Sequence, residues 1–598
     1  MDQRQVAQTL QTALNQHNAG DLASAEAAYR RVLAERPTEA DALHLLGVLL
    51  GQRGQPELGL PLIQRAITIL PNVQPFHLHL GQALAAMNRH EEALAAFTRG
   101  LQMNPRDLDA RQAAGSSLFA LNRPLPAIEQ FRIAAELAPQ DGVRMGNYGY
   151  ALMHAGRPAD AVPVLRRAVE LAPNHAAVWM QLGEAVWKCQ RYDGALPLAR
   201  RAVALAPNDV RTLVLLGNTL QTLAQFDEAA DVYRRAAQVA PHLFDAPSNL
   251  ALTLLKMGRA SEALAMYDQI CARWPNSPDA IANRSLALLT LRDYQRGFAD
   301  YEARWQTPTV TKYQFAQPRW NGIDAAGKTI LLMNEQGLGD TIHFVRYAPL
   351  LAARGATVLV ACPPALQPVI ATVQGVGRVV ADQPQGGGAA FDFYEPLSSL
   401  PGLFKTTLET IPATVPYVAA DPVRVAHWRN RLASDANLKV GLVWAGTAGH
   451  INDRARSAPL ATFAPLAAVA NVTFYSLQKG PPAAQASAPP TGTKLIPLGD
   501  DLHDFADTAA LLEVLDLLIS VDTSVVHLAG ALARPVWTLL AAGPDWRWML
   551  DREDSPWYPT MRLFRQPAPG AWQPMMEQVA AQLHEFVAAA AARRREQR

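Results

Sequence analysis

Proline stands at Pro37, Pro71, Pro105, Pro139, Pro173, Pro207, Pro241 and Pro275, eight times at an interval of 34 residues. A spacing kept over eight members restricts the first half of the chain to a tandem array of one structural unit. Two further series run in phase. The first is Ala25, Gly59, Ala93, Ala127, Ala161, Ala195, Ala229, Ala263 and Gly297. The second is Gly47, Gly81, Gly115, Gly149, Gly183 and Gly217, continued by Ala251 and Ser285. An aromatic often follows the first series by four residues, at Tyr29, Phe97, Phe131, Tyr233, Tyr267 and Tyr301. Small residues in mid-helix let two antiparallel helices approach closely, and the aromatic is expected to fill the gap between adjacent units. The proline stops the second helix, because it cannot continue the hydrogen-bond ladder.

This pattern resembles the tetratricopeptide repeat, a 34-residue helix-turn-helix unit. In that phase nine units cover Val6 to Thr311, and the ninth loses the proline register, with Pro308 nearby, as a terminal repeat does. The resemblance implies an all-α superhelix whose concave face binds peptides or proteins. In that family the sixth position of the repeat faces the groove. It holds His79, Asn147, Gln181, Asn249 and Asn283 here, interrupted by Ala113 and Leu215. The amides resemble the asparagine ladder of the O-GlcNAc transferases, which implies an acceptor groove holding a peptide backbone. Asn is also ordinary repeat consensus at that place. The pair Asp107 and Asp109 has the form of a metal-binding DxD, but it falls between repeats and reads as a turn.

Near residue 306 the character changes. Gln306 to Pro318 is rich in Thr and Pro and reads as a connector. Of the tryptophans, four precede it and eight follow. Short β-branched and leucine runs then alternate with helical stretches. The expected strands are Lys328–Met333, Thr357–Ala361, Arg378–Ala381, Phe391–Tyr394, Lys439–Trp444, Val472–Leu477, Lys494–Pro497, Leu517–Val521 and Val536–Leu540. That alternation implies parallel sheets. A Pro-rich passage, Ile411 to Pro422, divides the region into two Rossmann-like lobes with a cleft between them. The expected divisions are 6–311 for the array, 312–415 and 416–585 for the lobes, and 586–598 for a basic tail.

Two loops at strand ends carry candidate chemistry. In the first lobe the strand runs into Asn334-Glu335-Gln336-Gly337-Leu338-Gly339-Asp340. Glycine there lets the loop pass close to a ligand and lead into a helix start. It is neither the dinucleotide fingerprint nor a Walker A loop. Asp340 is a candidate general base or a first-turn cap. In the second lobe Leu517–Val521 runs into Asp522-Thr523-Ser524-Val525-Val526-His527. A helix starting there offers free N–H groups and a dipole to a diphosphate, or is plainly capped with His527 packed in the lobe.

The Gly-Asp after the first strand and the Asp-Thr-Ser-x-x-His-x-Ala stretch resemble glycosyltransferases of the heptosyltransferase type, over roughly residues 325 to 585. The resemblance implies a GT-B fold of two Rossmann-like lobes. It implies that Asp340 is the catalytic base and that Gly339, Asp522, Thr523, Ser524 and His527 lie on the donor. Ser524 stands where many members have Gly. A basic loop after the second lobe's first strand contacts phosphate in such enzymes. Here that loop is His450 to Ser457, with Asn452, Arg454 and Arg456. Lys479 is a further cleft-side cation or a solvated loop lysine. Gly480 to Gly492, rich in Pro and Ala, reads as a linker or mobile loop.

The overall plan, repeats followed by a GT-B module, is similar to that of bacterial O-GlcNAc transferase-like proteins. It implies a glycosyltransferase using a nucleotide sugar, with a protein or peptide acceptor chosen by the repeats, no metal and no other cofactor. The alternatives are an inactive repeat scaffold that still binds a ligand, and transfer to a glycan. A formal charge of +1 argues against a nucleic-acid partner, which needs a basic face. No apolar stretch is long enough to span a membrane. Cys189, Cys271 and Cys362 lie far apart, which fits a reducing, cytoplasmic location.

Overall fold

The computed structural model describes residues 1–596 apart from 309, 311, 312, 314, 383–387 and 448–451. The chain forms two compact units, Met1–Thr219 and Leu220–Arg598.

The first unit is built of helix pairs, from Gln3–Asn18 with Leu22–Glu35 to Ala176–Lys188 with Tyr192–Leu205. Each proline of the 34-residue series in this unit lies two residues beyond the end of a second helix, as Pro71 follows Pro56–Ile69 and Pro105 follows His90–Met103. The small residues are where helices touch. A Cβ on Gly59 would stand 2.4 Å from the Gly47 carbonyl oxygen, so the two helices of that pair meet backbone to backbone. The aromatics sit differently from the expectation. A Cβ on Gly81 would meet the ring of Phe97 at 2.4 Å, and one on Gly115 would meet Phe131 at 2.6 Å. Each ring therefore covers the glycine of its own pair, because the missing side chain leaves a slot there. Asp107 caps helix Leu108–Ala120 by accepting from the Ala110 N–H at 2.8 Å, which is the turn role expected of it.

The second unit opens with repeat helices, Phe226–Val239, Asp245–Lys256 with Ala260–Arg273, and Pro278–Thr290 with the shorter Tyr294–Tyr301. A 3-10 turn, Glu302–Gln306, replaces the end of the last helix, which is why the proline register is lost. Tyr294 and Phe298 of that helix pack edge-on against Trp546, and Tyr294 also packs against Trp557. One continuous core thus includes Leu289, Tyr294 and Phe298 together with Trp320, Trp546 and Trp557. Burial of several aromatics at one seam fixes the last repeat to the α/β region, since each removes a large apolar area from water.

Two sheets follow. The first joins β1 (Thr329–Met333), β2 (Thr357–Cys362), β3 (Val376–Ala381) and β4 (Phe393–Pro396) in the order β3-β2-β1-β4. The second joins β5 (Leu438–Val443), β6 (Val472–Ser476), β7 (Leu495–Pro497), β8 (Leu517–Val521), β9 (Val536–Leu540) and β10 (Met561–Arg565) in the order β10-β9-β8-β5-β6-β7. All the ladders are parallel. This is the expected plan of tetratricopeptide helices followed by a GT-B module of two α/β lobes. Strand order reverses beside β1 in one sheet and between β5 and β8 in the other, and ligands of open parallel sheets bind at such points.

Three expectations are corrected. β10 is an additional strand. Pro481–Ser487 is a folded 3-10 turn with Ala486 buried, and Gln485 accepts from the Leu460 N–H at 2.7 Å, so this stretch is packed rather than a linker. The last helix runs from Trp572 to Glu596, so the basic end continues a helix instead of forming a separate tail.

Candidate active site

A cavity of about 990 Å³ lies within the second unit, where the strand ends of both sheets meet the repeat helices. Asp340 enters it from the first lobe. Helix Leu338–Phe344 follows β1 at once, and Asp340 occupies its first turn. Its Oδ2 accepts from the Gly337 N–H at 2.9 Å and its Oδ1 accepts from Arg547 Nη2 at 2.6 Å. Asp340 therefore fills the cap role expected of it, and it also lines the cavity. Burial pushes its carboxyl above the usual range, and Arg547 opposes that shift.

Gly339 lines the cavity, but its missing side chain serves the lobes first. A Cβ there would stand 2.8 Å from the His527 ring and 3.3 Å from the Ser524 Cα. The glycine thus lets the two lobe helices touch at the rim of the site.

The second lobe supplies the opposite wall. β8 leads through Asp522 into helix Ser524–Ala531, whose preceding residue, Thr523, makes no side-chain cap. The helix start is thus without a side-chain cap, and its dipole favours an anion. Asp522 itself is pushed up to about 6, by burial and then by the neighbouring Asp545 carboxylate. His527 is buried, stacks on Trp548 at 5.2 Å between ring centroids, and places Nδ1 at 3.0 Å from the Tyr558 hydroxyl. Burial holds it neutral, well below its usual titration range. The same Tyr558 hydroxyl lies 3.1 Å from Nδ1 of His343.

Of the basic loop, Asn452 and Arg456 line the cavity and Arg454 does not, while His450 and Ile451 lie outside the described residues. Arg456 donates from Nη1 to the Asp522 carbonyl at 3.2 Å, which ties this loop to the end of β8. Lys479 also lines the cavity, with its ammonium on the Leu502 carbonyl, so it is not a freely solvated lysine.

Arg547, which the sequence reading missed, sits at the centre. It donates to Asp340 and, from Nη1, to Asp545 Oδ1 at 2.8 Å, with Phe344 and Trp546 near its guanidinium at 4.9 and 4.7 Å from their centroids. The signal available was the run Pro544-Asp545-Trp546-Arg547-Trp548 directly after a strand, an arginine between two tryptophans where a loop should be polar.

The repeat side contributes Leu252, Leu255, Lys256, Leu286 and Thr290. Lys256 donates to Gln221 Oε1 at 3.3 Å, and burial brings its ammonium down to about 8. Asn249 and Asn283 are half-buried and do not line the cavity themselves. They stand three and seven residues before Leu252 and Lys256, and before Leu286 and Thr290, so each begins a helix face that ends in the cavity wall. In the first unit, Asn147 is half-buried and Gln181 turns its Oε1 toward Gly146, where a Cβ would stand 2.9 Å away. His79 places Nδ1 at 2.7 Å from Nε2 of His44.

Comparison with known proteins finds repeats in the first half of the chain and an enzyme-family match near its C-terminal end. Residues 10–73, 78–142, 149–210 and 248–309 match the tetratricopeptide repeat model. Residues 188–270 match the model of anaphase-promoting complex, cyclosome, subunit 3. Residues 503–579 match glycosyltransferase family 9 (heptosyltransferase), a segment that contains Asp522, His527, Asp545 and Arg547. Protein FlbA of Caulobacter vibrioides (strain ATCC 19089 / CIP 103742 / CB 15) is 29% identical over 316 residues, covering 49% of this chain and 52% of that protein. The chain thus spans about half the length of the curated relative it matches. Among solved structures, MamA protein is 20% identical over 28% of this chain and 92% of its own, with a TM-score of 0.26. A chain of the APC/C hetero-tetramer Cut9-Hcn1 is 19% identical over 45% of this chain and 52% of its own, with a TM-score of 0.36. A repeat protein from Parabacteroides merdae ATCC 43184 is 14% identical over 42% and 99%, also at 0.36. At these scores the structures add nothing to what the helix pairs themselves show. The chain combines tetratricopeptide repeats with a C-terminal region similar to heptosyltransferases, which supports a glycosyltransferase-like activity. Among the described residues no helix is long and apolar enough to cross a membrane.

Proposed function

We propose that this chain transfers a sugar from a nucleotide sugar to a protein or peptide acceptor engaged by its repeats. One observation carries the reading: repeat helices, the Asp340 loop and the Asp522–His527 helix start wall the same cavity. The acceptor hydroxyl gives its proton to Asp340 as its oxygen bonds the anomeric carbon. The bond from that carbon to the donor phosphate breaks, and the electron pair leaves with the nucleotide. The helix start at Ser524, Arg456 and Arg547 take up the leaving charge, without a metal. Asn249 and Asn283 lead the acceptor toward the cavity along the faces that continue into Leu252 and Leu286. The heptosyltransferase match favours a second reading, in which a glycan replaces the peptide.

The test is intact-mass analysis of peptide and glycan acceptors incubated with nucleotide sugars, in wild type and Asp340→Asn. Wild type is expected to modify a peptide, and the variant to do so about 10²–10⁴-fold more slowly, the usual worth of a general base. Modification of glycans alone selects the second reading. Binding without any transfer selects an inactive scaffold.

A further inference from the structure

Arg547 is the most constrained charge in the cavity, and its partners conflict with the role of the site. Its side chain is 7% exposed, with Asp340 at 2.6 Å and Asp545 at 2.8 Å. Phe344 and Trp546 lie against the guanidinium, and Nε is buried without a partner. Ring contacts and the Asp545 pair fix where the guanidinium sits. The Asp340 side chain is 26% exposed and belongs to a seven-residue helix that opens on Gly337. Asp545 is more exposed, at 38%, but it accepts from the Arg547 backbone N–H at 3.0 Å as well as from Nη1, so it stays with the arginine, whereas Asp340 is held to Arg547 by one bond and is the partner that can be displaced. Both carboxylate oxygens are engaged, Oδ2 by the Gly337 N–H and Oδ1 by Arg547, so the carboxylate must give up a partner before it can reach an acceptor's proton.

Resting on the glycosyl-transfer reading, we infer that Arg547 makes donor binding the trigger for catalysis: the donor's diphosphate displaces Asp340 from Arg547, and the freed carboxylate becomes the base. Arg547 suits the exchange because its planar fork binds carboxylate and phosphate with the same geometry. Asp545 keeps it anchored while the other edge changes partner. The consequence is an order of events. The base is idle in the empty site, and water entering without a donor meets no free carboxylate at this position.

The exchange implies a competition that calorimetry reads directly. Uridine, guanosine, adenosine and cytidine diphosphates are titrated into the full chain, and the tightest binder is carried through a double-mutant cycle. Asp340→Asn should bind it about 10-fold more tightly than wild type, because no carboxylate competes for Arg547. Arg547→Ala should bind it about 10- to 100-fold more weakly. In the Arg547→Ala background, Asp340→Asn should give no further gain. If Arg547→Ala does not fold, Arg547→Lys serves, since a single ammonium lacks the fork and the gain from Asp340→Asn should shrink. Unchanged or weaker binding by Asp340→Asn overturns the exchange, as does an equal gain with and without Arg547, which is mere relief of negative charge. If wild type binds none of the four, the nucleotide-sugar reading itself falls, and the exchange with it.

Discussion

The two parts of the chain handle charge in opposite ways. In the helix pairs of the first unit, ion pairs lie on the surface between neighbouring turns, such as Arg89 with Glu92, Arg132 with Glu129, and Arg157 with Asp160. Exposed pairs of this kind are worth about 0–1 kcal/mol. Where the last repeat meets the first sheet, the paired carboxylates are buried. Arg304 donates to Glu335 at 2.6 Å with both side chains nearly closed to solvent, and Arg319 donates to the fully buried Glu395 at 2.6 Å. An array held by repeated small-residue contacts needs no buried charge to fix its register. A site assembled from three segments distant in sequence does, because few other interactions distinguish one placement of its loops from another.

The largest effect should come from breaking that contrast at Arg304. Its guanidinium leaves the last repeat turn, lies over Tyr301 at 4.1 Å and Trp305 at 4.9 Å, and reaches Glu335, Ser398 and Ser399. Glu335 lies five residues before Asp340, on the segment that leads from β1 into its helix. Arg304→Met strands a buried carboxylate, a change that typically costs about 3–5 kcal/mol. Arg132→Ala, which breaks only exposed surface pairs, should cost far less. Denaturation is followed by circular dichroism, which reads the helices of the first unit, and by tryptophan fluorescence, which reports mainly on the second unit, where most of the tryptophans lie. Equal losses in the two variants would erase the distinction between the two parts.

The same contrast decides what the sequence could reveal. A repeat writes its packing rules every 34 residues, so the ends of the second helices, the small-residue contacts and the lost proline register of the last unit were legible, though not the slot that each aromatic fills. Strands were legible where their faces are apolar, as in Leu517–Val521, which β8 matches residue for residue. β10 escaped because Arg562 and Arg565 interrupt its apolar run. Its neighbours supply their partners, Gln582 for Arg562 and the Arg552 carbonyl for Arg565. The candidate site was half legible. Asp340, Asp522 and His527 follow strands directly and could be read as strand-end chemistry. Arg547 could not be assigned a partner, since Asp340 lies 207 residues away and only the closure of the lobes brings them together.

A middle-sized effect should follow from the repeat faces that end in the cavity. Asn249→Ala with Asn283→Ala leaves the cavity lining untouched, because neither amide is part of it. The pair should raise KM for a protein acceptor by roughly 5-fold to 100-fold, at about 0.5–1.5 kcal/mol for each lost contact. Slow hydrolysis of the donor should stay the same, since water needs no repeat face. Loss of both activities together would mean damage to the fold, and loss of neither would make these amides ordinary consensus.

The smallest effect tests whether buried charge makes the site, and not the array, sensitive to pH. Asp522 titrates near 6 because burial and the Asp545 carboxylate disfavour its ionised form. With the folded value above the ordinary one, the protonated acid is the form that the site prefers. Its contribution to stability is complete below the unfolded value near 4 and is lost as pH rises through about 6. Affinity for the donor should move the same way. A nucleotide sugar's diphosphate is already fully charged near neutrality, so the change belongs to the protein. Above pH 6 the new carboxylate faces the incoming anion, and screened repulsion across several ångströms should weaken binding by about fivefold. Calorimetric titrations from pH 5 to 8 check this, with Asp522→Asn as the reference. The variant should bind with little dependence on pH. A fivefold fall that persists in Asp522→Asn would place the titrating group elsewhere. A flat profile in wild type would mean that Asp522 is already ionised when the donor arrives, held by Arg456 and the helix start rather than by its buried surroundings.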